Sequence, residues 1–187
     1  ALDNVTYLGR GTSTTPNPRG VGAYRGEIGD AQLSFVRNLL AAIPQDRLVV
    51  IALHIPLEAS WDGETVNTRD REDLLALLCE RQHVVVLAGH MHAADHRHLP
   101  CPAGAARDTV HQHTLAAVSG SWWSGPMDDR GVPTSWQTDG APNGYYLFHV
   151  EGTQYTTQFV PQAGSSQGLL RISFDTLFYR YSPWAMR

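Results

Sequence analysis

Two stretches decide the fold: Arg47-Leu48-Val49-Val50-Ile51-Ala52-Leu53-His54, and Val84-Val85-Val86-Leu87-Ala88-Gly89-His90-Met91-His92. Each is a short, continuous apolar run rich in β-branched residues, the pattern of a strand buried on both faces of a parallel sheet. Between them, Arg69 to Arg81 repeats leucine at helical spacing through Leu74, Leu75, Leu77 and Leu78. A strand–helix–strand unit of this length makes its two strands parallel, so both end at the same sheet edge. Ligands of open α/β sheets collect at that carboxyl edge. The residues just past the two strand ends are His54 and Gly89-His90-Met91-His92.

Outward from this unit, Leu2 to Leu8 reads as a strand, and Gly9 to Gly29 as a long loop rich in Gly, Pro, Ser and Thr. A helix follows, with Asp30 as its N-cap, an apolar stripe of Leu33, Val36, Leu39, Leu40 and Ile43, and Pro44 as its stop. From Ala93 onward no helical period remains. Short apolar runs appear at Leu115 to Val118, Tyr145 to Val150, Tyr155 to Val160 and Leu169 to Phe174, and Glu151-Gly152 fits a hairpin turn between the second and third. Gln162 to Gly168 is polar and Gly/Ser-rich, the best linker candidate.

At 187 residues, with 42% hydrophobic and 17% charged residues, the chain has the composition of one soluble globular domain or a piece of a larger one. It has no apolar run of about 18 residues, so no membrane span is expected. The net charge of −4 gives no reason to expect nucleic acid, whose binders usually show a basic face. All 14 basic residues are arginine, which reads as compositional bias. The start, Ala1-Leu2-Asp3-Asn4, has neither an initiator Met nor a signal peptide, and suggests a chain that begins in the middle of a fold. Of the two cysteines, Cys79 reads as a small buried hydrophobe in a helix and Cys101 as a loop residue between prolines. A bridge between them is possible without further support, so the redox compartment stays open.

Neutral imidazole is a good ligand for Zn, Mn and Fe, and histidines set directly after buried strands are held rigidly. His90 and His92 point to opposite faces if the segment is extended. Either Gly89 provides a kink that brings both to one site, or the two rings serve different metals. The other histidines have plainer readings. His96 and His98 lie in a polar loop with Asp95 and Arg97, where a substrate contact or a hydrogen bond to a metal-bound His is the functional option. His111 and His113 read as surface or edge residues, His83 as solvent-facing, and His149 as one face of a hairpin. Trp122, Trp123 and Trp136 follow the histidine motif in Gly-rich loops and either shape a pocket or pack beneath those loops. Asp128 and Asp129 read as a solvated turn. Asn4-Val5-Thr6 is a glycosylation sequon placed in a buried strand, and is given no role.

Several ordered points resemble the calcineurin-like metallophosphoesterase family. Gly89-His90-Met91-His92 is similar to its last metal motif, and Ala52-Leu53-His54-Ile55-Pro56 to the His-x-Pro motif before it. Leu2-Asp3-Asn4-Val5, the helix with Gln32 and Leu33, and the strand pair Tyr145 to Val160 resemble further landmarks, the last in bacterial members with an appended C-terminal region. The resemblance implies an α/β fold, part of a four-layer α-β-β-α sandwich with mixed sheets. Residues 1–160 would be the C-terminal half of the catalytic domain, and 161–187 a linker and the start of an appended β-rich region.

It also implies two divalent or trivalent metal ions (Mn, Fe or Zn) and hydrolysis of a phosphoester by a hydroxide bridging them. His54 and His90 would bind one ion and His92 the other. His96, His98, Trp122 and Trp123 remain substrate or supporting candidates. The family's Asp-x-His pair, bridging Asp and Asn-His motif have no match here. The bridging Asp and the general acid are therefore expected upstream of Ala1, and the chain alone is expected to be inactive. Its implied partners are a phosphoester and the missing N-terminal half, with neither nucleic acid nor membrane, and the resemblance favours a periplasmic or secreted setting. Two other readings stay open: a non-catalytic module gripping a sugar or lipid through Trp and Tyr with structural histidines, and a mononuclear zinc protein using His54, His90 and His92.

Overall fold

The structure is a computed structural model that describes residues 1–9, 23–60, 63, 65–118, 127, 131, 133, 137, 139, 141 and 143–161. Trp122, Trp123, Trp136, Asp128, Asp129 and the run Leu169 to Phe174 lie outside the described residues. The architecture is mixed α/β. Its centre is a four-stranded sheet built from β3 (Val49–Ala52), β4 (Val84–Ala88), β6 (Thr109–Thr114) and β5 (Asp95–Pro100), in that spatial order. β3, β4 and β6 run parallel, and β5 joins the far edge antiparallel to β6. Two hairpins flank the sheet: β1 (Val5–Gly9) with β2 (Ala23–Gly26), and β7 (Gly144–Glu151) with β8 (Gln154–Pro161).

The two faces of the central sheet differ. On one, Val49, Ile51, Val84, Val86, Ala88, Leu99 and Val110 form a continuous core with Leu33, Val36 and Leu40 of α1 (Asp30–Ala42) and Leu74, Leu75 and Leu78 of α2 (Arg71–Leu78). Burying such side chains is worth about 1.5–3 kcal/mol each, which makes this face the main source of stability. Side chains alternate across a strand. The other face therefore carries Val50, Val85, His96, His98, His111 and His113. The β7–β8 hairpin lies over part of it, with Tyr155 stacked on His111 and Tyr146 edge-on to His113. Val50 is 41% exposed, so β3 is open on this side rather than buried on both faces. β4, one strand further in, is buried on both sides as its sequence predicts.

Local corrections have identifiable causes. The first strand begins at Val5 rather than Leu2, because Leu2 instead donates its N–H to the Ala52 carbonyl on the open side of β3. Residues 23–26, expected as loop, form β2 because β1 supplies a ladder, with Tyr7 opposite Tyr24. The N-cap of α1 is Gly29, not Asp30, and its φ of 81° suits a glycine. The amides of Ile28 and Gly29 are held by the Asp70 carboxylate. β5, read as a polar loop, and β6, of which only a strand start between His111 and His113 was expected, are built largely from His, Gln, Thr and Arg, while the apolar run 115–118 is loop.

Cys79 and Cys101 form a disulfide, so Cys79 is not a free hydrophobe. The bridge ties the end of α2 to the β5–β6 connection, where the Ala106 amide also donates to the Cys79 carbonyl. Arg81 is almost fully buried, and its guanidinium donates to the Leu40, Ile43 and Pro44 carbonyls, closing the C-terminal end of α1. No helix among the described residues is long and apolar enough to cross a membrane.

Candidate metal centre

The ladder between β3 and β4 continues past both strand ends. Leu53 donates to the Leu87 carbonyl, and Gly89 donates to the His54 carbonyl. This carries His54 and His90 side by side onto the carboxyl edge, with ring centroids 4.9 Å apart and His90 Nδ1 3.1 Å from His54 Nε2. The backbone then turns sharply at His90 itself, where the Met91 amide donates back to the Gly89 carbonyl. His90 has φ 70° and His92 φ 52°, both in the left-handed region. Non-glycine residues there cost on the order of 1–3 kcal/mol and persist only where the surroundings over-determine them. The kink expected of Gly89 is therefore made by the histidines, and Gly89 is not among the positive-φ residues.

Two buried amides, neither foreseen from the sequence, hold the segment after His54. Asn4 is fully buried; its carboxamide oxygen accepts the amides of His54 (3.0 Å) and Ile55 (3.1 Å), and its nitrogen donates to the Ile55 carbonyl and to Thr68 Oγ1. Gln112 on β6 accepts from the Leu57 and Glu58 amides and donates to the Glu58 carbonyl. Asn4 is thus a structural clamp rather than an idle sequon residue. Its signal in the sequence is only that it is an amide three residues into the chain, and its partners lie 50 and 51 residues away.

Burial, followed by the neighbouring His54 charge, lowers the pKa of His90, which favours the neutral ring with one nitrogen lone pair available for a ligand. Tyr24 packs edge-on against the His90 ring at 5.8 Å and is itself in edge contact with the exposed Tyr7. Beyond His92, the Asp139 carboxylate accepts the Ala94 and Ala141 amides and fixes the next turn.

The fit to a metal ion can be judged from these distances. Two nitrogens each about 2.0–2.1 Å from one ion lie roughly 2.9–3.4 Å apart, so the His54–His90 pair matches two ligands of a single ion. No group of three or more His, Cys, Asp or Glu among the described residues converges on one ion. His92 therefore does not join the pair in a three-histidine site, and the mononuclear zinc reading lacks its third ligand.

His96 and His98 lie on β5 and do not reach the His54–His90 pair, but face His113 and His111 across the β5–β6 register. His111 and His113 are buried, contrary to their reading as surface residues, because β7–β8 covers this part of the sheet. Arg97, on the opposite face of β5, pairs with Glu58 at 2.6 Å and Asp95 at 3.1 Å.

The fold and the histidine pair define a mixed-sheet α/β protein with its site at the carboxyl edge. Residues 112–181 match the family described as "C terminal of Calcineurin-like phosphoesterase". Among solved structures the chain is similar to a dimetal phosphatase from Danio rerio, with 17% identity and a TM-score of 0.40. That match covers 73% of this chain and only 33% of the other, so the chain spans about a third of that protein's length. No curated protein matches.

Proposed function

We propose that the chain supplies the histidine half of a two-metal phosphoester hydrolase site. His54 and His90 ligate one ion and His92 the other, while the bridging carboxylate and the leaving-group acid belong to a segment preceding Ala1. The observation that carries this reading is the 3.1 Å separation of the His54 and His90 ring nitrogens at the carboxyl edge. When bound, two divalent or trivalent cations (Mn, Fe or Zn) supply the Lewis-acid charge and activated water that phosphoester hydrolysis needs. This chain's own residues do the holding. Asn4 and Gln112 fix the backbone behind His54, the turn at His90 directs its ring toward His54, and Tyr24 walls the far side of His90.

The open side of β3 supports the upstream segment as a partner. Ala1, Leu2, Phe35, Leu39, Ile43 and Val50 border an apolar groove there, and Phe35 is 58% exposed. An uncovered strand edge beside an apolar groove is where further strands of the same sheet would add. The domain division proposed is residues 1–160 as the C-terminal half of the catalytic domain, with an appended region beyond. The disulfide suits an oxidising compartment, and so a periplasmic or secreted protein.

The test is a protein in which the preceding segment is present. Metal-dependent hydrolysis of a simple phosphodiester or monoester should fall by at least a hundredfold in His54→Ala and His90→Ala, by analogy with the loss of other essential electrostatic groups. The isolated chain should turn over no faster than its own His54→Ala variant. Turnover indifferent to His90→Ala would end the reading.

A further inference from the structure

A second histidine assembly lies apart from the candidate metal centre. His96 and His98 of β5 and His111 and His113 of β6 share one sheet face and stack as a ladder. Ring centroids are 3.9 Å apart for His96–His113, 5.0 Å for His98–His111 and 5.2 Å for His96–His111, with interplanar angles of 9–20°. Near-parallel rings do not aim their in-plane lone pairs at one point, and no convergent metal group is present among the described residues. The ladder is not a chelate. It is instead the main described contact between the sheet and the β7–β8 hairpin: Tyr155 stacks on His111 and hydrogen-bonds its Nδ1, and Tyr146 meets His113 edge-on.

The hydrogen bonds limit the charge this relay can hold. Burial raises the Tyr155 hydroxyl to about 12, so it keeps its proton, and in one arrangement of the relay it donates to His111 Nδ1. His111 Nε2 then carries hydrogen and donates to His96 Nδ1 at 2.9 Å. Every ring in this relay is neutral. One proton added at His96 can be accommodated by reversing the relay, which turns His111 into a donor toward the Tyr155 oxygen. A second proton sets two N–H groups against each other across that 2.9 Å contact. His113 is fully buried, and neither of its nitrogens has a hydrogen-bond partner among the described residues, so it too is held neutral. Two other charged groups act on the ladder: Asp95, next to His96 in the chain but on the opposite face of β5, favours the charged form of His96, and Arg107 opposes charge on His111.

We propose that this histidine ladder is an acid-released latch that clamps the β7–β8 hairpin, and with it the start of the C-terminal region, onto the central sheet. Burial, followed by the like charges of the neighbouring rings, holds His111 and His113 down at about 4 and about 2. Burial likewise holds His96 at about 4, against the opposing pull of Asp95. Unfolded histidine titrates near 6.5. The released state therefore takes up protons that the clamped state refuses. The latch is at full strength above pH 6.5 and weakens as pH falls from 6.5 toward 4.

The latch is tested on this chain by measuring proton uptake on unfolding and amide exchange against pH. At pH 5.5, unfolding should take up about two to three protons. His113→Leu and His96→Gln should each lower that number by about one. Amides of β7–β8, corrected for intrinsic exchange rates, should lose protection between pH 7 and 5 before those of β3 and β4. Uptake below one proton in the unaltered chain overturns the proposal without any variant having to fold. Equal uptake in the chain and both ladder variants, or parallel loss of protection in β7–β8 and β3–β4, overturns it as well.

Discussion

Asn4 and His54 are joined by a hydrogen bond in which the fully buried Asn4 side chain accepts the His54 amide at 3.0 Å through its carboxamide oxygen while also accepting that of Ile55. The side chain thus does for the end of β3 what another strand would do, and it sets where the His54 ring begins. Asn4→Ala leaves the His54 and Ile55 amides without their acceptor, while the Ile55 carbonyl keeps Thr68 Oγ1. Each orphaned group costs on the order of 1–3 kcal/mol, so the expected loss is about 2–5 kcal/mol in urea unfolding. A change within 0.5 kcal/mol for Asn4→Ala would remove the clamp from the account.

Tyr24 and His90 form a T-shaped ring pair with centroids 5.8 Å apart. Tyr24→Phe should therefore bind zinc like the unaltered chain. Tyr24→Ala frees the His90 ring and should weaken binding by about tenfold, the lower end of what groups supporting a ligand are worth. Competition with a chromophoric chelator reads this directly. Equal affinities for Phe and Ala at this position would show that Tyr24 does not orient His90.

The strands legible in the sequence were those whose burial is apolar. β4 and the inner face of β3 announce themselves through valine and isoleucine, and the β7–β8 hairpin through its Glu151-Gly152 turn. The βαβ spacing was enough to bring His54 and His90 to one edge. β6 was hidden because its buried side chains are His111, Gln112, His113 and Thr114, a composition that reads as exposed. The burial of His111 and His113 is decided by a hairpin far along the chain, as the 44-residue separation of His111 and Tyr155 illustrates. Asn4 and Gln112 were invisible for the same reason: a buried amide is identified by its partners, and those are tertiary.

The Cys79–Cys101 bridge closes a separation of 22 residues. Constraint of the unfolded chain over such a loop is worth about 3 kcal/mol. Reduction, or the double change Cys79→Ala with Cys101→Ala, should lower unfolding free energy by about that amount in guanidinium titrations. An identical midpoint with and without reductant would contradict the bridge.

Arg81 meets three carbonyls at the end of α1 from a nearly buried position. Arg81→Met keeps much of the apolar stem and removes all three donors, so about 2–4 kcal/mol of stability should be lost, as hydrogen bonds from charged groups are among the stronger ones. Zinc affinity at His54 and His90 should be unchanged, which separates this helix lock from the site. Loss of zinc binding with intact stability would refute that separation.

The left-handed backbone at His90 and His92 has an evolutionary consequence. Glycine or asparagine occupies that conformation with less strain, so a selection for heat resistance alone should drive both positions toward those residues. Each replacement would give a sturdier protein with one imidazole fewer at the sheet edge. Thermal tolerance and ligand number therefore compete at the same two codons.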